Sequence, residues 1–161
     1  SKFLIPQTPY IVFVIGSTWP SRNYPKEKFF QVAQAIKKSC IVIWGNEKEK
    51  EKAEWMSSES NYIQVMPKLS LDDLKHVIDH ASLLIGNDTG PSHMSWALNI
   101  PSIILFGPTP IERSFQTSIN TVLSSNSKIN HYKLDKNDFS IKEIKVSDIV
   151  KMAKELLRLS L

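Results

Sequence analysis

Residues 83–110, LLIGNDTGPSHMSWALNIPSIILFGPTP, constrain the fold of this chain more than any other stretch. The short apolar run at residues 82–86 predicts a β-strand, and the turn formers of residues 87–90 follow it directly. Pro91 comes next, and proline suits the first position of a helix because its missing N–H would have no partner there. The pattern therefore predicts a strand that turns sharply into a helix.

The helix predicted over residues 91–98 must be brief, because Pro101 follows it closely. Residues 102–106 form a second apolar, β-branched run, and residues 107–110, Gly-Pro-Thr-Pro, turn the chain again. Both polar turns thus come directly after predicted strands. The carboxyl ends of parallel strands meet at one edge of a sheet, so the two turns should share that edge.

The start of this short helix has the chemistry of an anion site. Its first backbone N–H groups have no partner inside the helix, and the Thr89 hydroxyl and the His93 imidazole stand beside them. We expect a phosphate at the corner between Gly90 and His93, although His93 could instead be a structural, hydrogen-bonded imidazole. Asp88 would repel a phosphate, so it either ties down loop amides or binds sugar hydroxyls.

The rest of the chain alternates between the sequence patterns of β-strands and those of α-helices. Strands are predicted at residues 10–15, 40–44, 62–66, 82–86 and 102–106, with a sixth candidate at residues 120–123. Helices are predicted at residues 26–38, 47–57 and 91–98, from Ser70, and from Ser147 to near the end. In the helix from Ser70, Asp73 is placed to complete a capping box, and the inner face consists of Leu71, Leu74, Val77 and Ile78. Residues 124–140 are polar and poorly patterned, which fits a loop or a short strand.

This alternation predicts one α/β domain over residues 1–161, with a Rossmann-like parallel sheet and helices on both faces. In the usual strand order 3-2-1-4-5-6, the first and fourth strands are neighbours at the topological switch point, where such folds bind ligands. The loops at residues 16–25, 45–47 and 87–91 would then converge on one crevice. That convergence depends on the assumed strand order.

These loops carry groups that suit a nucleoside diphosphate. Ser17 and Thr18 follow the first strand and offer hydroxyls and backbone donors. Arg22 can reach back as a bidentate cation for a diphosphate, or remain a solvated loop charge. Glu47 stands where dinucleotide-binding folds place an acid for ribose hydroxyls, although it is equally an ordinary first-turn helix glutamate. Met66 could border a base or fill the core.

Composition narrows the class of protein. The chain is 42% hydrophobic and 22% charged, as soluble globular domains are, and it contains no run of ~18 apolar residues and no secretory signal pattern. Its net charge of +4 fits nucleotide phosphates or an anionic membrane surface, and equally a basic surface without a ligand; we expect no nucleic-acid partner. The single Cys40 excludes an internal disulfide and is expected to be a core thiol in a reducing compartment.

Several familiar catalytic schemes are missing. The sequence has no Gly-x-Gly-x-x-Gly after a strand and no Gly-Lys-Ser/Thr phosphate loop, which argues against a nicotinamide dehydrogenase or a P-loop enzyme. Asp88, Ser92 and His93 lie too close together in one turn to act as a nucleophile, base and orienting acid. His76 and His80 are four residues apart but lack a third ligand. We therefore expect no metal and no cofactor.

Six segments stand in a recognisable order along the chain. They are WGNE (residues 44–47), VMPKLSL (65–71), DTGPSH (88–93), AL (97–98), Pro101 and FGPT (106–109). This set resembles the ADP-heptose:lipopolysaccharide heptosyltransferases of glycosyltransferase family nine, with their D-T/S-G-x-x-H motif, small helix, proline, strand and G-P-T. The resemblance covers residues 10–115.

The resemblance implies a GT-B fold of two Rossmann-like halves, and this chain resembles the C-terminal, donor-binding half alone. The residues that it implies at the donor are Ser17, Thr18 and Arg22 at the diphosphate, Glu47 at the adenosine ribose, Asp88 at the heptose hydroxyls, and Thr89, Gly90 and His93 around the phosphates. The family often carries Lys where this chain has Arg22, which keeps the charge but changes its geometry.

The activity implied by the resemblance is inverting transfer of heptose from ADP-heptose to the lipid A–Kdo inner core. The implied location is cytoplasmic, peripheral to the inner face of the bacterial inner membrane. The family's general base belongs to the N-terminal half, so no catalytic residue is expected here and the chain alone should be inactive. Two alternatives stay open: a GT-B transferase or epimerase that uses another nucleotide sugar, and a non-catalytic nucleotide-binding module.

Overall fold

The computed structural model describes residues 5–107, 117–125 and 139–159 of the 161-residue chain. Its strands are β1 (Tyr10–Val14), β2 (Ser39–Ile43), β3 (Ile63–Val65), β4 (Leu83–Asn87), β5 (Ser102–Phe106) and β6 (Asn120–Ser124). Its α-helices are α1 (Lys26–Ile36), α2 (Glu47–Glu59), α3 (Leu71–Asp79), α4 (Gly90–Ala97) and α5 (Val146–Leu159). Short 3-10 helices lie at Pro20–Arg22 and Ser140–Glu143.

The six strands form one sheet in the order β3-β2-β1-β4-β5-β6, and every neighbouring pair is parallel. This confirms the predicted order, including the pairing of β1 with β4, in which Val12 lies opposite Leu84. The sixth strand, a candidate in the sequence, is present beside β5. The topological switch point therefore lies between β1 and β4, where the chain leaves the two strands in opposite directions along the sheet.

Helices cover both faces of the sheet, as predicted, because the central strands are apolar on both sides. Every residue of β1, β4 and β5 is buried, which is typical of parallel strands between two helical layers. Phe13 of β1 packs against Phe29 of α1 on one face, with ring centroids 5.3 Å apart. On the other face, Val12 belongs to the same apolar cluster as Val77 of α3.

Helix α3 begins where the sequence predicts, but one residue of its predicted inner face is exposed. Ser70 caps α3 by accepting a hydrogen bond from the Asp73 N–H at 3.1 Å, which confirms the predicted start. The predicted inner face of α3 is wrong at one position. Leu71 is 64% exposed, because it is the first residue of the helix and points away from the sheet, whereas Val77 and Ile78 are fully buried.

Burial accounts for the chemistry of the single cysteine. Cys40 of β2 is 0% exposed, and desolvation raises the pKa of its thiol to about 12, so the predicted core thiol is confirmed.

No helix in the described part of the chain is both long and apolar enough to cross a membrane. The predicted turn at residues 107–110 and the weakly patterned stretch at residues 124–140 fall largely outside the described residues.

Candidate functional site

A cavity of about 450 Å³ opens at the carboxyl edge of the sheet, where β1, β2 and β4 end. Four segments line it. The loop after β1 contributes Gly16, Ser17 and Thr18, and the start of α4 contributes Thr89, Gly90 and Pro91. The end of β2 and the start of α2 contribute Trp44, Gly45 and Glu49, and the region around the start of α3 contributes Leu69 and Leu74. The predicted convergence of three polar loops on one crevice is thus confirmed.

The start of α4 leaves hydrogen-bonding groups unused in this cavity. Thr89 is the cap residue, yet its side chain makes no capping bond, and its Oγ1 is buried without a hydrogen-bond partner. The first intrahelical bond runs from the His93 N–H to the Thr89 carbonyl at 3.0 Å, so the amides before His93 lie outside the helix ladder. Open space surrounds the Gly90 α-carbon where a side chain would stand. This corner can therefore accept an anion without breaking existing bonds.

Asp88 and His93 bind each other across this turn. His93 Nε2 lies 2.6 Å from Asp88 Oδ1, and because an ionised carboxylate only accepts, the ring carries its proton on Nε2. The imidazole also stacks on Trp96, with ring centroids 4.5 Å apart. Asp88 thus orients the imidazole instead of tying down loop amides, and neither Asp88 nor His93 is among the residues that line the cavity. The contact of Asp88 with sugar hydroxyls stays a prediction.

The loop after β1 is held by its own side chains. Ser17 Oγ lies 2.6 Å from Asn23 Oδ1 and 2.7 Å from the Trp19 carbonyl, so its one proton is already used within the loop. Thr18 is exposed at the cavity. The Arg22 guanidinium lies over the Trp19 ring, 4.1 Å from its centroid, and its Nε is buried without a hydrogen-bond partner. Arg22 does not line the cavity in this arrangement.

The acid that faces the cavity is Glu49, two residues beyond the predicted Glu47. Glu49 accepts hydrogen bonds from the Gly45 N–H at 2.9 Å and from Asn46 Nδ2 at 2.8 Å, while its own N–H binds Asn46 Oδ1 at 2.9 Å. Its carboxylate lies so close to Gly16 that a Cβ there would be 2.2 Å from Glu49 Cδ. Glu47 is exposed in the first turn of α2 and is not among the lining residues.

The sequence contains a local signal for Glu49. Asn46-x-x-Glu49 has the spacing of a capping box, which turns the side chain of the third helical residue back toward the preceding loop. A glutamate in that box must point at the strand end, whereas the first helical residue, Glu47, has no such constraint.

Met66 does not border the cavity, which corrects the expected contact between its side chain and a base. It is 2% exposed and packs into the core between the sheet and α3. Its carbonyl instead accepts a hydrogen bond from Trp44 Nε1 at 2.7 Å, and Trp44 does line the cavity. With Leu69 and Leu74, the indole gives this end of the cavity an apolar wall that the loop sequences alone did not suggest.

Among the described residues, no group of three or more His, Cys, Asp or Glu side chains is close enough to hold a metal ion.

The fold of this chain resembles solved structures of glycosyltransferases. Escherichia coli heptosyltransferase WaaC, solved with ADP, superimposes with a TM-score of 0.79 at 22% sequence identity, over 94% of this chain and 46% of that one. At this identity the match describes the fold alone.

Comparison with known sequences gives information beyond the fold. Lipopolysaccharide heptosyltransferase 1 of Campylobacter coli is 40% identical over 157 residues, which cover 91% of this chain and 46% of the relative. The protein of the same name from Pseudomonas aeruginosa is 33% identical over 107 residues, 65% of this chain and 30% of the relative. The chain thus spans less than half the length of these relatives. The model of glycosyltransferase family 9 (heptosyltransferase) matches residues 2–143, and the chain belongs to that family.

Proposed function

We propose that this chain is the donor-binding half of a lipopolysaccharide heptosyltransferase, which transfers heptose from ADP-heptose to the lipid A–Kdo inner core with inversion. The observation that carries the proposal is the unused set of donors at the start of α4, with the unpaired Thr89 hydroxyl at its centre. A buried hydroxyl without a partner costs free energy, so its retention at a cavity is best explained by a ligand that completes it.

We assign each part of ADP to one region of the cavity. The diphosphate fits at the amides around Gly90, where the helix dipole favours negative charge. Glu49 is placed to accept hydrogen bonds from ribose hydroxyls, and Trp44 with Leu74 forms the apolar end for adenine. A volume of about 450 Å³ is in the range of small-molecule sites.

The proposed roles of the other residues follow from where they stand. Thr18 is an exposed residue beside the diphosphate position, and Ser17 contributes backbone donors, because its own hydroxyl binds within the loop. The described residues that line the cavity include no lysine or arginine, and Arg22 can supply a cation there if its guanidinium leaves the Trp19 ring. Glu47 stays a candidate only for the outer rim of the ribose position.

In the proposed reaction the acceptor hydroxyl attacks the anomeric carbon of heptose while the bond to ADP breaks. Negative charge then develops on the departing diphosphate, and the α4 amides and the Thr89 hydroxyl stabilise it. His93, held by Asp88 at 2.6 Å, lies in the first turns of α4 but not among the residues that line the cavity, and an imidazolium there would add a positive charge near the start of the helix. The general base that accepts the proton from the acceptor hydroxyl is assigned to an N-terminal half, so this chain alone should bind the donor without turnover.

The acceptor and the location of the whole enzyme are part of the same proposal. The relatives are named lipopolysaccharide heptosyltransferases, which supports an acceptor of the lipopolysaccharide class. We propose lipid A–Kdo as that acceptor, and a peripheral position at the inner face of the bacterial inner membrane for the whole enzyme. An N-terminal half-domain with an acidic residue near its start, acting as the general base, would be the required partner. The nucleotide sequence upstream of this chain should encode it; an unrelated upstream sequence would favour a non-catalytic nucleotide-binding module.

Calorimetry of this chain with ADP, UDP and ADP-heptose tests the donor. We expect ADP and ADP-heptose to bind and UDP to bind at least about tenfold more weakly, because the apolar end of the cavity suits a purine better than a pyrimidine. A preference for UDP would reject heptosyl transfer in favour of another nucleotide-sugar enzyme. Absence of binding by all three nucleotides would reject the cavity itself.

A further inference from the structure

Asn87, the last residue of β4, connects the two loops that form the diphosphate end of the cavity without touching the cavity. It is 0% exposed and is not among the lining residues. Its Oδ1 accepts a hydrogen bond from the Tyr24 N–H at 3.0 Å, and its Nδ2 donates to Asn23 Oδ1 at 3.5 Å. Asn23 Oδ1 in turn lies 2.6 Å from Ser17 Oγ. One buried amide therefore ties the end of β4 to the loop after β1.

The backbone of Asn87 is tied in the other direction, into α4. Its carbonyl accepts a hydrogen bond from Ser92 Oγ at 2.5 Å, and Ser92 is 0% exposed. The serine hydroxyl stands so close to the strand that a Cβ on Gly86 would lie 2.6 Å from it. The first turn of α4, with its unpaired Thr89 hydroxyl, is thereby fixed to the same residue that holds the β1 loop.

We propose that Asn87 is a positioning residue, which sets the distance between the loop after β1 and the first turn of α4 so that both reach the same diphosphate. The inference rests on the proposed function, because it assumes that a nucleoside diphosphate lies between Thr18 and the Gly90 amide. Binding of a ligand by preformed donors depends on their spacing, and misplacement of one wall weakens every contact from that wall.

Asn120 provides a matched control at the opposite edge of the sheet. It is 2% exposed, and its Nδ2 donates to the Ile100 carbonyl at 2.8 Å and to Ser102 Oγ at 2.9 Å. It begins β6, whereas Asn87 ends β4. Loss of either amide leaves buried partners unsatisfied, so both substitutions should destabilise the fold. Only Asn87 connects elements that line the cavity.

The experiment measures ADP affinity and thermal stability separately for Asn87→Ala, Asn23→Ala and Asn120→Ala in this chain. We expect Asn87→Ala to weaken ADP binding by about tenfold and Asn23→Ala by about three- to tenfold, with Asn120→Ala within twofold of the parent. All affinities are measured at a temperature at which each variant is fully folded. The melting temperature should fall for both Asn87→Ala and Asn120→Ala, so stability alone would not separate them.

A second comparison distinguishes positioning from general loosening. Because Asn87 and Asn23 act through one network, the loss of ADP affinity in the double variant should be smaller than the product of the two single losses. Unchanged ADP affinity in a folded Asn87→Ala variant would overturn the inference. If Asn87→Ala does not fold, unchanged affinity in Asn23→Ala overturns it equally. A parent chain that does not bind ADP would instead reject the proposed function, so the two failures are distinguishable.

Discussion

The two edges of the sheet each carry a cavity, and the larger and more positively charged one is at the edge opposite to the candidate site. At the amino edge, the described residues that line a cavity of about 640 Å³ include four cationic side chains and no acidic one. The cations are Lys37, Lys38, Lys154 and Arg158. At the carboxyl edge, the described residues that line the cavity of about 450 Å³ include no lysine or arginine, and the acid among them is Glu49.

The direction of the helices explains why charge does not mark the site. In a parallel α/β sheet the helices begin at the carboxyl edge, with free N–H groups, and end at the amino edge, with free carbonyls. Lys37 caps the end of α1, and Arg158 lies in the last turn of α5. The positions of Lys37 and Arg158 are therefore accounted for by the negative ends of the helix dipoles of α1 and α5. The carboxyl edge, where donors stand without partners, is the edge that an anionic ligand would complete.

Substitution of Thr89 by valine should give the largest effect on binding. The change removes a buried hydroxyl that has no partner in the free protein, so we expect ADP affinity to fall by about 1–3 kcal/mol while the free energy of unfolding stays equal or rises by roughly 0.5–1 kcal/mol. Calorimetry with ADP and urea denaturation measure the two quantities.

Thr121→Val is the matched control at the other edge. Thr121 Oγ1 donates to the Ser102 carbonyl at 3.1 Å, so its loss should lower stability by about 1 kcal/mol and leave ADP affinity unchanged. If Thr89→Val lowered stability as Thr121→Val does, the Thr89 hydroxyl would have a structural partner and the difference between the edges would disappear.

The pair Glu49→Gln and Glu47→Gln should show the next largest difference. Glu49 lines the cavity and is held by the Gly45 N–H, so its loss of charge should weaken ADP binding by about 1–2 kcal/mol. Glu47 is exposed on the first turn of α2, and its substitution should change ADP affinity by less than about 0.5 kcal/mol. Equal losses for the two variants would restore Glu47 as a ribose ligand.

Sequence patterns predicted the order and type of the elements because these depend on local periodicity and on the chirality of the connections. The strand predicted at residues 102–106 has the observed bounds, Ser102–Phe106, and the end of α4 follows from the proline after it. The inner face of α3 was assigned by periodicity alone, and Leu71 shows why the first turn escapes it: a residue at a helix start is not yet over the sheet.

Sequence patterns predicted which loops form the site but not which side chains of those loops face the cavity. Strand order determines which loops meet, and that could be inferred. Which glutamate turns inward depends on a capping box around Asn46, and whether Ser17 has a free hydroxyl depends on Asn23, six residues away. Asn87 is the clearest case, because its partners come from the loop after β1 and from α4, and no local pattern marks it.

The smallest expected effect is at the amino edge, where Lys154→Ala and Arg158→Ala test whether the cationic cavity takes any part in nucleotide binding. Each substitution removes a charge at an exposed position, and Arg158 lies in the last turn of α5, so we expect a loss of only a few tenths of a kcal/mol in stability. ADP affinity should not change in either variant at low or moderate salt, because the ligand would lie across the sheet and beyond about one Debye length. Thermal denaturation and calorimetry with ADP at two salt concentrations measure both effects. A clear loss of ADP affinity in the double variant would show that the nucleotide binds at the amino edge, and the assignment of the site to the start of α4 would then be wrong.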